Sequence, residues 1–560
     1  VLATDKKSWL SDSLFILFFI GIFYFIWLGN HALFVPDEGR YSEVAREMIA
    51  GNDFVTPRIN GVAFLDKPVL YYWLQASGIY FFGLNEWALR FWPAIFGIFG
   101  CLITYLTGRQ LFNRRTGILA AILLATSPIY YGAAHYANLD LEVAVLISAT
   151  LMSILLGLHV ASNKIRSILF YSAWVFCSLA FLTKGLIGLV FPIAITGCWI
   201  VLTWRWNTLK KIHLIFGPIV FLLIVFPWYY LVQKANPEFL HFFFVTQQFS
   251  RFLSHADFNN RVPTWFYLPI IFLGFLPWTI FSLQAFGQQI KNVVLNFKQQ
   301  TSMLFLLIWF FVVLLFFSIP KSKTIGYIIP TLPPLALITA KYLNDIWQKN
   351  SRVVLASFVL LAGICWIGLP ILTNIEWHNR LPIAPWLLAV TGLFLIASLI
   401  FLWCLIRKKP VLQPIYILMI ASVIFSLLFS ASAQQINPNS TKQIALELKQ
   451  TLKPTDEIVV YYSFYQDLLL YLERGVTVVA DWNSPDIAER DNWVRELWYG
   501  MPFQDTHKWL IDEKTFWQKW HDHSHKLVVI MDKKRFADFS SKAGSISNFK
   551  EYNDVIRLTN

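Results

Sequence analysis

The chain has 560 residues, 56% of them hydrophobic and 14% charged, with a mean hydropathy of +0.53. A soluble domain carries about a quarter charged residues, so this composition excludes a water-soluble globular protein and indicates an integral membrane protein. The formal charge of +13 does not indicate nucleic acid, because the cations lie in short loops between apolar runs, where they orient the chain or meet anionic lipid.

The first apolar run, residues 14–34, has no charge and is long enough to cross the roughly 30 Å hydrocarbon layer as a helix. Lys6 and Lys7 precede it and no small-x-small cleavage site follows, so an uncleaved span is expected. Further spans are expected at 86–108, 116–134, 141–159, 167–184, 186–204, 212–232, 265–285, 302–319, 325–343, 353–373, 384–406 and 413–431, thirteen in all, with the fifth and sixth the hardest to separate. With thirteen spans, Lys6/Lys7, Arg109/Arg114/Arg115, Lys164/Arg166, Arg205/Lys210/Lys211, Lys291/Lys298, Lys349/Arg352 and Arg407/Lys408/Lys409 share one side, the cytoplasm by the positive-inside rule. Lys321 and Lys323 are exceptions on the other side.

Beyond Ser432 the composition becomes soluble. A helix at 441–452, a strand at 457–462, a helix at 466–473 and strands at 476–480 and 527–531 predict a small α/β module. The expected architecture is a polytopic α-helical membrane domain, 1–432, whose first outer loop, 35–85, carries the active site, followed by an extracytoplasmic α/β domain, 433–560. All five cysteines fall within apolar runs, where they read as small buried residues and not as a disulfide or zinc framework. His521, His523 and His525 would share one face only if that segment were a strand; as the end of a helix they are solvated.

Charges near the middle of the spans, the mark of a transport route, are rare. They gather instead at the outer ends and loops: Asp37, Glu38, Arg40, Asp66, Lys67, Asp140, Glu142, Lys184, Arg251, Lys321 and Lys323. Either loop solvation or a shared cavity accounts for that convergence. A cavity with cations beside a free carboxylate suits glycosyl transfer, which needs a stabilised leaving group and often a base for the acceptor. Nucleotide sugars are absent outside the cytoplasm, so the donor would be lipid-linked, a polyprenyl-phosphate sugar whose phosphate takes Lys and Arg clamps and whose tail takes an apolar groove.

Taken together, VPDEGRY after the first run, FLDKPVLYYW in the same loop, NRVPTWFYLPIIFLGFLPW and KSKTIGYIIPTLPPLAL resemble the C-type superfamily of membrane glycosyltransferases, in particular the bacterial branch of lipid A aminoarabinose transferases. The resemblance implies an inverting single displacement from an undecaprenyl phosphate donor to lipid A or a related envelope glycolipid, in a bacterial inner membrane with the N-terminus cytoplasmic and the C-terminal domain periplasmic. It implies Asp37 as catalytic carboxylate, Lys67 and Arg251 as donor-phosphate ligands with Arg40 beside Asp37 serving the same end, and Glu38, Asp140, Lys184, Lys321 and Tyr327 around the cavity. Where relatives carry a Glu-His pair this chain has Gln247 and Gln248, and Phe64 replaces an aromatic that is tyrosine in some of them. That departure weakens a metal site, leaves a divalent ion open only through Asp66 and Asp140, and leaves the sugar unnamed. Transfer to protein or another glycan, and a transporter or sensor with an outer ligand-binding domain, are the alternatives.

Overall fold

The structure, a computed structural model, describes residues 8–250, 262–347, 412–436, 440–490, 492–522 and 525–560, with isolated positions between 392 and 407. It divides into two compact units, one of Val1–Asn30, Arg90–Phe226 and Val262–Ile436, the other of His31–Leu89, Pro227–Arg261 and Asn437–Asn560.

Among the described residues, six helices are long and apolar enough to cross a membrane: Ser8–Phe25, Glu86–Leu111, Asp140–His159, Asn163–Lys184, Phe216–Ala235 and Thr301–Ser318. Ile187–Thr203 and Ile415–Ala431 are shorter and equally apolar. The expected spans at 353–373 and 384–406 lie outside the described residues, apart from isolated helical positions in the second. The fifth and sixth spans are separate helices, parted at Gly185, whose φ of 82° ends the first of them.

Four spans differ from expectation, each for a reason visible in the chain. The first helix occupies 8–25 and not 14–34, which draws Asp12 into it. That charge is tolerated because Arg109 Nη1, Arg114 Nε and the Tyr105 hydroxyl donate to Asp12 Oδ2 at 2.9, 2.7 and 2.8 Å, and Arg114 Nη2 donates to Oδ1 at 2.7 Å. The run 116–134 is broken into Arg114–Ala125 and Pro128–Ala134, bent by 67°, and 265–285 into Thr264–Gly274 and Thr279–Leu295, bent by 114°. Pro128 opens the second piece of one and Pro277 lies in the break of the other; neither can donate to a helix ladder. The two breaks face each other, with Trp278 Nε1 donating to Thr126 Oγ1 at 3.0 Å. The span expected at 325–343 starts as a tight 3₁₀ segment, Ile325–Thr331, before the α-helix Leu332–Ile346, because Pro330, Pro333 and Pro334 interrupt donation there.

In the second unit a six-stranded sheet runs in the order β5-β4-β3-β6-β8-β7, where β3 is Glu457–Tyr461, β4 Thr477–Val479, β5 Leu510–Ile511, β6 Leu527–Asp532, β7 Ser547–Tyr552 and β8 Val555–Thr559. A two-stranded ribbon in the outer loop, β1 (Arg58–Ile59) with β2 (Val62–Ala63), precedes them. Strands β3 to β6 pair in parallel, and β8 and β7 add an antiparallel edge. Parallel strands covered on both faces read as continuous apolar runs, which is why EIVVY and LVVIMD were legible; their side chains bury with Phe516, Trp520 and Phe539. Helix Glu513–Asp522 contains His521, whose Nδ1 lies 2.8 Å from the Trp517 carbonyl, so the strand needed to align the histidines does not form there.

Within this unit the outer loop and the residues beyond 436 fold as one body. Helix Asp37–Gly51 packs on helix Gln466–Leu472 so closely that a Cβ at Gly39 would lie 2.6 Å from the Asp467 backbone nitrogen. Asn60 exchanges two hydrogen bonds of 2.9 Å with the Val476 backbone, and the Leu33 amide donates to the Tyr471 hydroxyl at 3.0 Å. Asp467 is wholly buried, which pushes its carboxyl up to about 6, while Thr441 and Ser440 donate to it and hold the start of helix Lys442–Thr451.

Candidate functional site

The second unit holds a cluster of carboxylates around one guanidinium. Asp37 and Glu38 open the helix Asp37–Gly51, where the N-terminal end of the dipole favours negative charge. One turn on, Arg40 forms ion pairs with Asp37 and, across 456 residues of sequence, with Glu496 on helix Trp493–Trp498. Burial opposes the charge on Arg40, but Glu496, Tyr41 and Asp37 outweigh it and hold the guanidinium well above its usual range. Burial pushes the Glu496 carboxyl up, Arg40 draws it down, and the nearby charges of Asp66 and Asp37 raise it again. Three acids therefore share the field of one arginine.

Asp66 and Lys67 follow the β1–β2 ribbon. The Gln247 amide, on a π-helical stretch His241–Ser250, donates to Asp66 Oδ1 at 3.0 Å, and Lys67 Nζ donates to the Asp66 carbonyl at 3.2 Å. Glu38 is wholly buried, and its Oε2 accepts from the Phe34 amide at 2.8 Å, closing the turn that leads into the helix. Arg40, expected on the donor phosphate, pairs with two carboxylates and has 14% of its side chain exposed. Arg251 lies outside the described residues.

The first unit has a polar cluster of its own. Asp140 opens helix Asp140–His159, its amide accepted by Asn138 Oδ1 at 3.0 Å, and its carboxylate pairs with Lys184 at the end of Asn163–Lys184. Lys184 Nζ also sits 4.3 Å from the centre of the Tyr327 ring, a cation–π contact. Lys321 is exposed, whereas Lys323 is buried and donates to the Val262 carbonyl at 3.3 Å and to that of Pro320 at 2.5 Å, so the second exception to the charge rule ties down its own turn.

Two residues of these clusters were not read from the sequence. Glu496 sits in an ordinary amphipathic helix that nothing local distinguishes from a solvated one. Gly326 was overlooked although it precedes Tyr327: a Cβ there would overlap the Asp140 carboxylate, and pairing to Lys184 prevents that carboxylate from swinging clear. Gly326→Ala is expected to displace Asp140 and lower turnover about 10²-fold, the cost of a shift of roughly 1 Å in a reacting arrangement. Initial rates at unchanged thermal stability check this; a rate near that of the parent protein would exclude a close-packed role.

A divalent metal does not fit these side chains. No group of three or more His, Cys, Asp and Glu residues able to hold one occurs among the described residues. Asp66 receives a neutral amide from Gln247, and Asp140 is neutralised by Lys184 in the other compact unit. No step below runs through a metal.

Comparison with known proteins agrees with this architecture. Residues 12–243 match the family described as dolichyl-phosphate-mannose-protein mannosyltransferase. The chain is 30% identical over 349 residues to undecaprenyl phosphate-alpha-4-amino-4-deoxy-L-arabinose arabinosyl transferase 2 of Proteus mirabilis, a stretch covering 62% of this chain and 61% of that protein. Against the transferase of Pseudomonas aeruginosa strain UCBPP-PA14 it is 30% identical over 373 residues, 66% of each. The aligned stretches thus span about two thirds or less of these two relatives. Among solved structures, ArnT from Cupriavidus metallidurans in the apo state superposes with a TM-score of 0.84 at 25% identity, over 99% of this chain and 98% of that one. The chain thus has the fold of the C-type membrane glycosyltransferases, a multi-pass helical body with an α/β domain, and in sequence and architecture it resembles the bacterial aminoarabinose transferases.

Proposed function

We propose that the protein transfers a sugar from a polyprenyl phosphate to lipid A or a related envelope glycolipid at the outer face of a bacterial inner membrane, with its N-terminus cytoplasmic and residues 433–560 periplasmic. The observation that carries this reading is the Asp37 carboxylate, held by Arg40 at a helix start and one third exposed, in the same compact unit as Lys67. The names of the relatives support the donor and sugar class, and a structure of the Cupriavidus protein is described as bound to undecaprenyl phosphate.

In this reaction the acceptor oxygen attacks the anomeric carbon as the bond to the lipid phosphate breaks, with inversion. Asp37 orients a phosphate acceptor or takes the proton of a hydroxyl acceptor. Lys67 and Arg251 stabilise the departing polyprenyl phosphate, shielded from water, where such pairing contributes about 3 kcal/mol. Arg40 and Glu496 fix the direction of the Asp37 carboxylate. Asp140, Lys184, Tyr327 and Lys321, in the other compact unit, are the remaining candidates for contacts to substrate.

A second reading, transfer to protein, is favoured by the description of the matched family. Mass spectrometry of envelope lipids and envelope proteins from cells with and without the protein separates the two. A sugar increment on lipid A that depends on the protein is expected. An increment on protein alone would transfer the proposal to the second reading, and no increment on either would overturn both.

A further inference from the structure

We infer that the groove between helices Asp140–His159, Asn163–Lys184 and Ile187–Thr203 is a binding site for an anionic glycerophospholipid, with an acyl chain in the groove and its phosphate at Lys210 and Lys211. The groove encloses about 190 Å³ and is lined by Ile154, Ala173, Cys177, Pro192, Gly197 and Ile212 among others. Its walls are nearly all apolar: the Thr150 hydroxyl is tied to the Leu146 carbonyl at 2.9 Å, and the buried Thr196 hydroxyl has no partner among the described residues. A single hydroxyl gives a water fewer partners than it needs, and in a membrane the natural filler of such a space is hydrocarbon.

The rim supplies the charge. The end of the first helix, the start of the second and the end of the third lie on one side, because each helix turns back on its predecessor. That side carries Lys164, Arg205, Lys210 and Lys211, all exposed, while Trp204 and Trp206 are 80% and 50% exposed. Exposed tryptophans beside cations mark headgroup depth. The helical lining residues lie three to fourteen positions inside these ends, roughly 4–21 Å at 1.5 Å per residue, the depth over which acyl chains lie below their phosphates. The mouth is a built wall: Trp174 Nε1 donates to the Ile212 carbonyl at 2.9 Å, and the His213 ring stacks on Tyr171 with centroids 4.7 Å apart. Four cations without an acid among residues 204–213 and 164 select an anionic headgroup over a zwitterionic one.

Native mass spectrometry of the full chain released from nanodiscs of equal phosphatidylglycerol and phosphatidylcholine tests the inference. The parent protein is expected to retain phosphatidylglycerol preferentially. Lys210→Gln and Lys211→Gln should each reduce that preference about fivefold. Gly197→Phe should abolish retention: a Cβ at 197 meets nothing within 4 Å, so the ring enters the groove without disturbing the backbone. Gly287→Phe, at another position where a Cβ meets nothing, should leave retention unchanged. Equal retention of the two lipids by the parent protein, or undiminished retention by Gly197→Phe at unchanged thermal stability, would overturn the site. Should Gly197→Phe fail to fold, the lysine variants decide: an unaltered preference in both overturns it.

Discussion

Asp37→Asn is expected to lower sugar transfer about 10³-fold while the protein remains inserted and as heat-stable as its parent. Asparagine keeps the shape and can still accept from Arg40, so the ordering of the helix start survives. What it loses is the negative charge and the ability to hold a proton, and general-base contributions of this kind run to about 10²–10⁴-fold. Rates with a synthetic polyprenyl-phosphate sugar, beside thermal inactivation in detergent, separate loss of chemistry from loss of fold. The size of the effect also identifies the acceptor class. A phosphate acceptor is already anionic and needs orientation more than deprotonation, so the loss would fall to about tenfold; a hydroxyl acceptor needs the full base. Transfer at the parent rate would remove Asp37 from the reaction.

Arg40→Ala should damage stability as well as turnover. It strands the Asp37 and Glu496 carboxylates beside Asp66 without their shared cation; breaking a fully buried pair from one side costs about 3–5 kcal/mol, and the partial exposure of both acids reduces this to about 1–3 kcal/mol. Arg40→Lys keeps the charge but not the planar fork that serves two carboxylates together, so an intermediate loss is expected. Adding Glu496→Gln to Arg40→Ala should recover part of the stability and little of the activity, the non-additivity expected of groups in contact. A ligand of the donor phosphate would behave differently: Arg40→Lys would mainly raise the KM for donor and leave thermal inactivation unchanged. That outcome would restore the role first read from the sequence.

Asp37, Arg40, Asp66 and Lys67 stood out because they belong to ten charges in the 31 residues 37–67, just after a long uncharged apolar run. Asp140 and Lys184 were likewise visible, as charges at the ends of apolar runs, Tyr327 came only from the resemblance of its segment, and the structure joins the three. The partners were not visible. Periodicity reports which face of a helix is buried, and not which charge faces it, so Glu496 was indistinguishable from any surface acid and Arg40 seemed available. Gln247 was noticed for the glutamate it is not; only the fold shows its amide on Asp66. The register of the first helix was missed because the span was placed on the uncharged run, and Asp12 fits inside a helix only once Arg109 and Arg114, roughly a hundred positions away, neutralise it. Strand β7 escaped because its residues are almost all exposed and polar, an edge with no apolar alternation to find.

The bond between Arg40 and Glu496 has a temporal side. Its two ends lie 456 residues apart, and at about 5–20 residues per second the ribosome makes the second end about 20–90 s after the first. During that interval the segment bearing Asp37 is already synthesised but has neither its ion-pair partner nor the helix against which Gly39 fits. A nascent chain thus lacks the assembled Asp37 cluster until residue 496 is made, and on the proposed function a product cut short before it would occupy the bilayer without consuming lipid-linked sugar.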